Sequence, residues 1–184
     1  MKRIITYKSL LLIGAIVLLS KVSYGQYSEY EIKAAYIFNF AKFIEWNKID
    51  SENNDTIVLG IYKNDPFGIV LEKTMVGRKA NGKAWKILRI SRMSDVDLCN
   101  ILFFSDIGKY ELGLILKRIE NNPILSIGDE IDDFCEIGGI INFTPQFSQN
   151  QFEINNKVAV RSGININPKL LKLAKIVSYN EDEF

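Results

Sequence analysis

Thr56-Ile57-Val58-Leu59-Gly60-Ile61-Tyr62 is nearly continuous in apolar residues. A strand with one wet face alternates polar and apolar side chains, so this run predicts a strand covered on both faces. Helix and strand signals alternate downstream of it. Asp65-Pro66 reads as a helix start, with proline in the first turn, running to about Val76. Gly77 to Gly82 forms a turn before a strand over Trp85 to Ile90, and Leu98 to Phe104 is a third, deeply apolar strand. Lys109 to Asn121 is helical, with Tyr110, Leu112, Leu116 and Ile119 apolar, and Asn122-Pro123 stops it. Ile124 to Ile127 is a short strand.

Further on, Ile140 to Phe143 and Gln151 to Ile154 pair as a hairpin across Pro145 to Asn150. Asn155 or Asn156 can cap a short helix that Gly163 ends, and Asn167-Pro168 starts a last helix. Residues 180–184 form an acidic, frayed tail. Strand–helix alternation followed by a hairpin predicts an α/β fold: a single-domain sandwich with a mixed β-sheet, helices on both faces, and a C-terminal β-hairpin followed by helices.

Upstream of a polar linker, Asp50 to Asp55, lies a long helix from about Tyr27 to Asn47. Ser28 and Glu31 fit a capping box. Tyr30, Ala34, Ile37, Ala41 and Ile44 make one apolar stripe at 4-3-4-3 spacing, and Ile32, Tyr36, Asn39, Phe43 and Trp46 make a second. At 100° per residue the two are about 160° apart. One stripe packs on the sheet; the other is covered by the rest of the chain or is left for a partner.

The N-terminus reads as an export signal over residues 1–25, leaving one domain over 26–184. Lys2, Arg3 and Lys8 precede the apolar run Leu10 to Leu19, and Ser23-Tyr24-Gly25 places small residues at the cleavage positions. That run is too short to cross about 30 Å of hydrocarbon. Cleavage removes four of the 23 basic residues and no acid, leaving 19 against 22 and a net charge of −3. Without a basic surplus, nucleic-acid binding has little support.

The chain contains no histidine, which removes Ser-His-Asp and Cys-His nucleophile pairs, histidine bases and the commonest zinc ligand. No glycine-rich phosphate loop, metal-ligand cluster or nucleophile elbow is present either, so the chain reads as no enzyme, with no cofactor and no metal. Asp129-Glu130-Ile131-Asp132-Asp133 lacks calcium-loop spacing and reads as a solvated acidic loop. Gly138-Gly139 reads as a bulge or a tight lead into a strand. Cys99 and Cys135 are bound for an oxidising compartment, where a bridge between them and simple burial are both open readings.

Two groups of residues are candidates for function. Ile32, Tyr36, Asn39, Phe43 and Trp46 could form an interaction patch of several hundred Å² if uncovered, for a partner or a second copy. Arg78 and Arg161 could each offer a guanidinium fork to an anionic ligand, or serve as salt bridges and helix caps. Glu153, between Phe152 and Ile154, points away from their face, toward solvent or an ion pair.

Four stretches in order resemble the YfiR family of small periplasmic proteins. They are Glu31 to Trp46, Val76-Gly77-Arg78, Cys99 to Phe104, and Gly138 to Ala174 with its Gly-Gly-Ile-Ile-Asn-Phe, Gln-Phe-Glu-Ile-Asn and Asn-Pro-Lys-Leu-Leu segments. The resemblance implies a periplasmic regulator that binds and represses the sensor region of an inner-membrane signalling enzyme, typically a diguanylate cyclase, thereby controlling cyclic-di-GMP. A histidine kinase is the other partner class, and a homodimer is implied. Some members carry two disulfides, which a chain with two cysteines cannot. The alternative is a periplasmic solute-binding module that uses Arg78 and Arg161 on an anionic or aromatic ligand.

Overall fold

A computed structural model describes residues 28–46, 55–145 and 151–177; the expected export signal, most of the polar linker and the acidic tail lie outside the described residues. The first helix, α1 (Glu29–Lys42), begins as its residues dictate. The Ser28 hydroxyl accepts from the Glu31 amide, and the Glu31 carboxylate accepts from the Ser28 amide. It ends earlier than expected. The Phe43 amide closes on the carbonyls of Asn39 and Phe40, and the chain then extends as β1 (Ile44–Trp46).

The main sheet has seven strands: β2 (Thr56–Tyr62), β3 (Ala84–Ile90), β4 (Ile101–Phe104), β5 (Leu125–Asp129), β6 (Ile141–Phe143), β7 (Phe152–Ile154) and β9 (Lys175–Ile176), in the spatial order β3-β2-β4-β5-β6-β7-β9. The first five are parallel, with Leu59 opposite Ile101 and Ile127 opposite Ile141. The β6–β7 hairpin is antiparallel, with Phe143 opposite Phe152, and β9 adds to β7 in parallel. A separate two-stranded ribbon pairs β1 with β8 (Ile164–Ile166).

The apolar run of β2 is explained by helices on both faces. Ile57, Leu59 and Ile61 join a core with Ile37 and Phe40 of α1 and with Leu71 and Met75 of α2 (Val70–Met75). On the other face, Tyr62, Leu102 and Phe104 pack with Leu112, Ile115 and Leu116 of α3 (Lys109–Ile119). The mixed α/β sheet with helices on both faces is therefore as expected.

Several element bounds differ from the sequence reading, each for a local reason. Asp65 Oδ1 accepts from the Phe67 amide at 2.9 Å, an Asx turn that delays α2 to Val70. Met93–Leu98 is a 3₁₀ helix that shortens the strand expected from Leu98. The short helix α4 (Asn156–Arg161) has the Asn155 cap, but the last helix, α5 (Pro168–Leu171), covers only four residues before β9. Gly138 adopts a φ of +107°, and a Cβ at Gly139 would lie 2.2 Å from the Phe134 ring. The Gly-Gly pair is thus a left-handed turn and then a close approach. Cys99 and Cys135 are buried as free thiols; the bridge is not formed. Among the described residues, no helix is long and apolar enough to cross a membrane.

Candidate functional site

The order β3-β2-β4-β5-β6 reverses direction between β2 and β4, so the loops leaving the carboxyl ends of those two strands run apart. Such a divergence leaves a crevice, the usual ligand position of doubly wound sheets. Here it is a cavity of about 650 Å³, lined by Asn64, Asp65 and Pro66 after β2, Ser105 and Asp106 after β4, and Asp129 and Glu130 at the end of β5. The N-terminal turn of α1 lays Glu29, Tyr30 and Lys33 across its mouth. Asn64 Nδ2 donates to the Asp106 carbonyl at 2.9 Å, and the Ser105 hydroxyl donates to the Asn64 carbonyl at 3.1 Å, tying the two diverging loops together.

Five carboxylates and one ammonium line this cleft. Glu29, Asp129 and Glu130 converge to within 4.8 Å of one another. The ammonium of Lys33, a residue only 6% exposed, sits among them: 2.5 Å from Asp129, 2.9 Å from Glu130, and also bonded to Glu29. Burial alone would favour neutral lysine, but the three carboxylates outweigh it and hold the Lys33 pKa above its ordinary value. The Lys33 hydrogen bond in turn holds Glu29 below the usual carboxylate range. The Tyr30 hydroxyl donates to Asp129 at 3.2 Å, and burial, then the Asp129 charge, push the phenol up. Asp65 is tied to Arg89 at 2.7 Å. The corner around Lys33, with three carboxylates against one ammonium, therefore stays net negative, and Asp106 adds to that charge.

The second stripe of the first helix is divided by the structure. Ile32, 41% exposed, and the exposed Asn39 face solvent. Tyr36 is half-buried, its ring 5.6 Å from that of Phe152 and 6.1 Å from that of Phe143. Phe43 and Trp46 lie beyond the helix and pack on the core. Ile32 and Tyr36 share a small hollow with Glu29, Lys33 and Glu130, so this part of the stripe is continuous with the acidic cleft.

The two arginines are not brought together. Arg78 stacks on the Phe38 ring at 3.6 Å and donates to the Thr74 carbonyl, beside Trp85 in a hollow of about 460 Å³. Arg161, exposed at the end of α4, lines a different groove against α3. Glu153 accepts from Lys175 at 2.6 Å. Sequence reasoning passes over Lys33 and takes Asp129 and Glu130 for a solvated loop. The pairing of Glu29 with Lys33 at i,i+4 is legible; the partners 96 and 97 positions away are not.

A family model described as YfiR/HmsC-like matches residues 30–175. Among solved structures, the ABC domain in complex with L-Trp from Streptococcus pneumonia superposes with a TM-score of 0.46 at 12% identity, over 66% of this chain and 55% of that one. The chain spans about half the length of that protein, and so slight a likeness bears on neither fold nor function.

Proposed function

Because the chain belongs to the YfiR/HmsC-like family, we propose that it is a periplasmic protein that binds the sensor region of an inner-membrane diguanylate cyclase and represses it. The family is one of periplasmic regulators of such cyclases, regulatory rather than catalytic. The family match over residues 30–175 carries the reading. Repression by binding requires only differential affinity: the protein grips the inactive state of its partner, and an envelope signal that weakens the grip releases the enzyme. The partner face is the exposed edge of α1, Ile32 and Asn39 with the flank of Tyr36, together with the adjoining acidic cleft. Phe43 and Trp46 support that face from beneath, and the same face is available to a second copy of the chain.

The test is crosslinking in the native cells followed by mass spectrometry of what co-purifies. The expected product is a membrane protein with an extracytoplasmic sensor region, lost in the double variant Ile32→Asp/Asn39→Arg. Both substituted positions are exposed, so the variant should keep the melting temperature of the unaltered protein, whereas changes at Tyr36 or Phe43 would disturb the core. Loss of the protein should raise intracellular cyclic-di-GMP, and the double variant should fail to restore it. Normal restoration by that variant would exclude this face.

The switch-point cleft favours a second reading, a solute-binding module. Its charge suits a cationic solute, not the anion expected from Arg78 and Arg161. Thermal shift against amines and anions separates the two.

A further inference from the structure

The two edges of the main sheet differ. One is β9, a strand of two residues; the other is β3, seven residues long and paired with β2 throughout. A residue in an extended strand turns its N–H and C=O to one side, and its neighbours turn theirs to the other. The Ala84 amide donates to the Asp55 carbonyl at 2.7 Å, and the Ile90 carbonyl accepts from the Lys63 amide at 2.7 Å, so the even-numbered residues of β3 face β2. The backbone groups of Trp85, Ile87 and Arg89 therefore point off the sheet, where no strand among the described residues pairs with them. Folded proteins usually keep such an edge short, because it is a template for another chain.

Charge and shape single out what this edge would take. From Lys73 to Arg92 the chain carries seven basic residues and no acid, although its net charge is only +1. Arg89 is held by Asp65 and Glu72, and Arg92 by Asp95. Lys73, Lys79, Lys83 and Lys86 make no ion pair among the described residues. Beside the edge lies the hollow of about 460 Å³, with Arg78 and Lys79 on one side and Trp85 and Ile87 of β3 on the other. Glu72, the one acid in its lining, is already bonded to Arg89. The Trp85 ring lies 5.9 Å from that of Phe38, and Val76 at the rim is 75% exposed, so the hollow is apolar within and basic around.

We propose that β3 is the docking edge for an extended, acidic segment of a partner protein, which adds to the sheet as one more strand. Its backbone pairs with Trp85, Ile87 and Arg89, its carboxylates meet Lys79, Lys83 and Lys86, and one of its apolar side chains enters the hollow against Trp85, Ile87 and Val76. Main-chain hydrogen bonds supply the affinity, and the lysines select the partner. An anionic lipid surface could meet the lysines but could not use the alternating donors and acceptors of the strand. A second copy of the chain is disfavoured, because pairing β3 with itself would bring two rows of lysines together. The hollow shares no lining residue with the acidic cleft, and the inference does not depend on the regulatory reading.

Amide hydrogen exchange of the full protein, followed by NMR, tests the edge residue by residue. In the free protein the Lys86, Leu88 and Ile90 amides, which face β2, should exchange slowly, and those of Trp85, Ile87 and Arg89 fast. The probes are short peptides that alternate glutamate with valine or phenylalanine, their lysine counterparts, and phosphatidylglycerol vesicles. A glutamate peptide should slow exchange at Trp85, Ile87 and Arg89 at least tenfold, and the lysine peptides should not. Lys79→Glu/Lys86→Glu, both at exposed positions, should weaken that binding at least tenfold with the melting temperature unchanged. Fast exchange at the three amides with every glutamate peptide, slow exchange there before any peptide is added, or equal slowing by the lysine peptides would overturn the proposal. Vesicle binding that the double variant loses, with no slowing by any peptide, would overturn it in favour of a lipid surface.

Discussion

Lys33 sits on the side of α1 turned toward the sheet, where an amphipathic helix would place an apolar residue. Its buried ammonium is held by Asp129, Glu130 and Glu29, so removing it leaves carboxylates that no other cation in the corner neutralises. Lys33→Met should cost about 3 kcal/mol at neutral pH, the scale of breaking a buried pair from one side, measured by urea denaturation. The pH dependence has a definite sign. Glu29 is held below its usual 4.5, so its contribution is complete above pH 4.5 and is lost as pH falls through the lowered value. Lys33 is raised above 10.5, so its contribution is complete below pH 10.5 and fades only in stronger alkali. The gap between the unaltered protein and Lys33→Met should therefore be flat through neutral pH and narrow below pH 4.5. An unchanged gap at pH 3 would show that the ion pairs are not its source.

Asn155 joins three elements. It follows β7, its Oδ1 accepts from the Val158 amide at 3.1 Å to cap α4, and its Nδ2 donates to the Cys135 carbonyl at 2.8 Å. The residue is fully buried. Asn155→Ala should lose a cap, about 1 kcal/mol, and leave a buried carbonyl without its donor, about 1–2 kcal/mol more. Asn155→Asp keeps the acceptor for the cap but sets a carboxylate against the Cys135 carbonyl, so it should not rescue. Chemical denaturation of the two variants checks this; full stability in the Asp variant would mean that only the cap matters. The cap itself is legible in the chain, because asparagine before a short apolar-periodic run is a start signal. The bond to Cys135 is not, since nothing local to either residue announces a partner 20 positions away.

The sheet separates two apolar cores, one under each helical layer, and both thiols lie in the one on the α3 side. Burial, then the Asp95 charge, push the Cys99 thiol up to about 11, and burial raises Cys135 as well. Neither is a ready thiolate, and neither has a bridge to lose. Thiol reagents should therefore label the native protein only at the rate of global unfolding, and reductant should leave the melting temperature unchanged. Rapid native labelling, or a fall of several degrees under reductant, would restore a redox role to these cysteines. The same architecture sets the cleft: it exists because β2 and β4 send their loops apart, a property of strand order and not of any residue.

Periodicity and local chemistry, both written in the chain, are enough for the doubly covered strand Thr56–Tyr62, the capping box at Ser28, the β6–β7 hairpin, and the starts at Asn155 and Asn167. The family resemblance is legible there too, in four stretches in order. Where α1 stops is a matter of long-range pairing, because Ile44–Trp46 is drawn against Ile164–Ile166. That pairing also divides the second stripe into an exposed edge and a packed remainder. The cleft of Asp65, Asp106, Asp129 and Glu130 around Lys33 is likewise a product of the folded sheet. Those acids sit at strand ends and in loops that are ordinary one at a time, and only the parallel order of the strands carries their ends to one place.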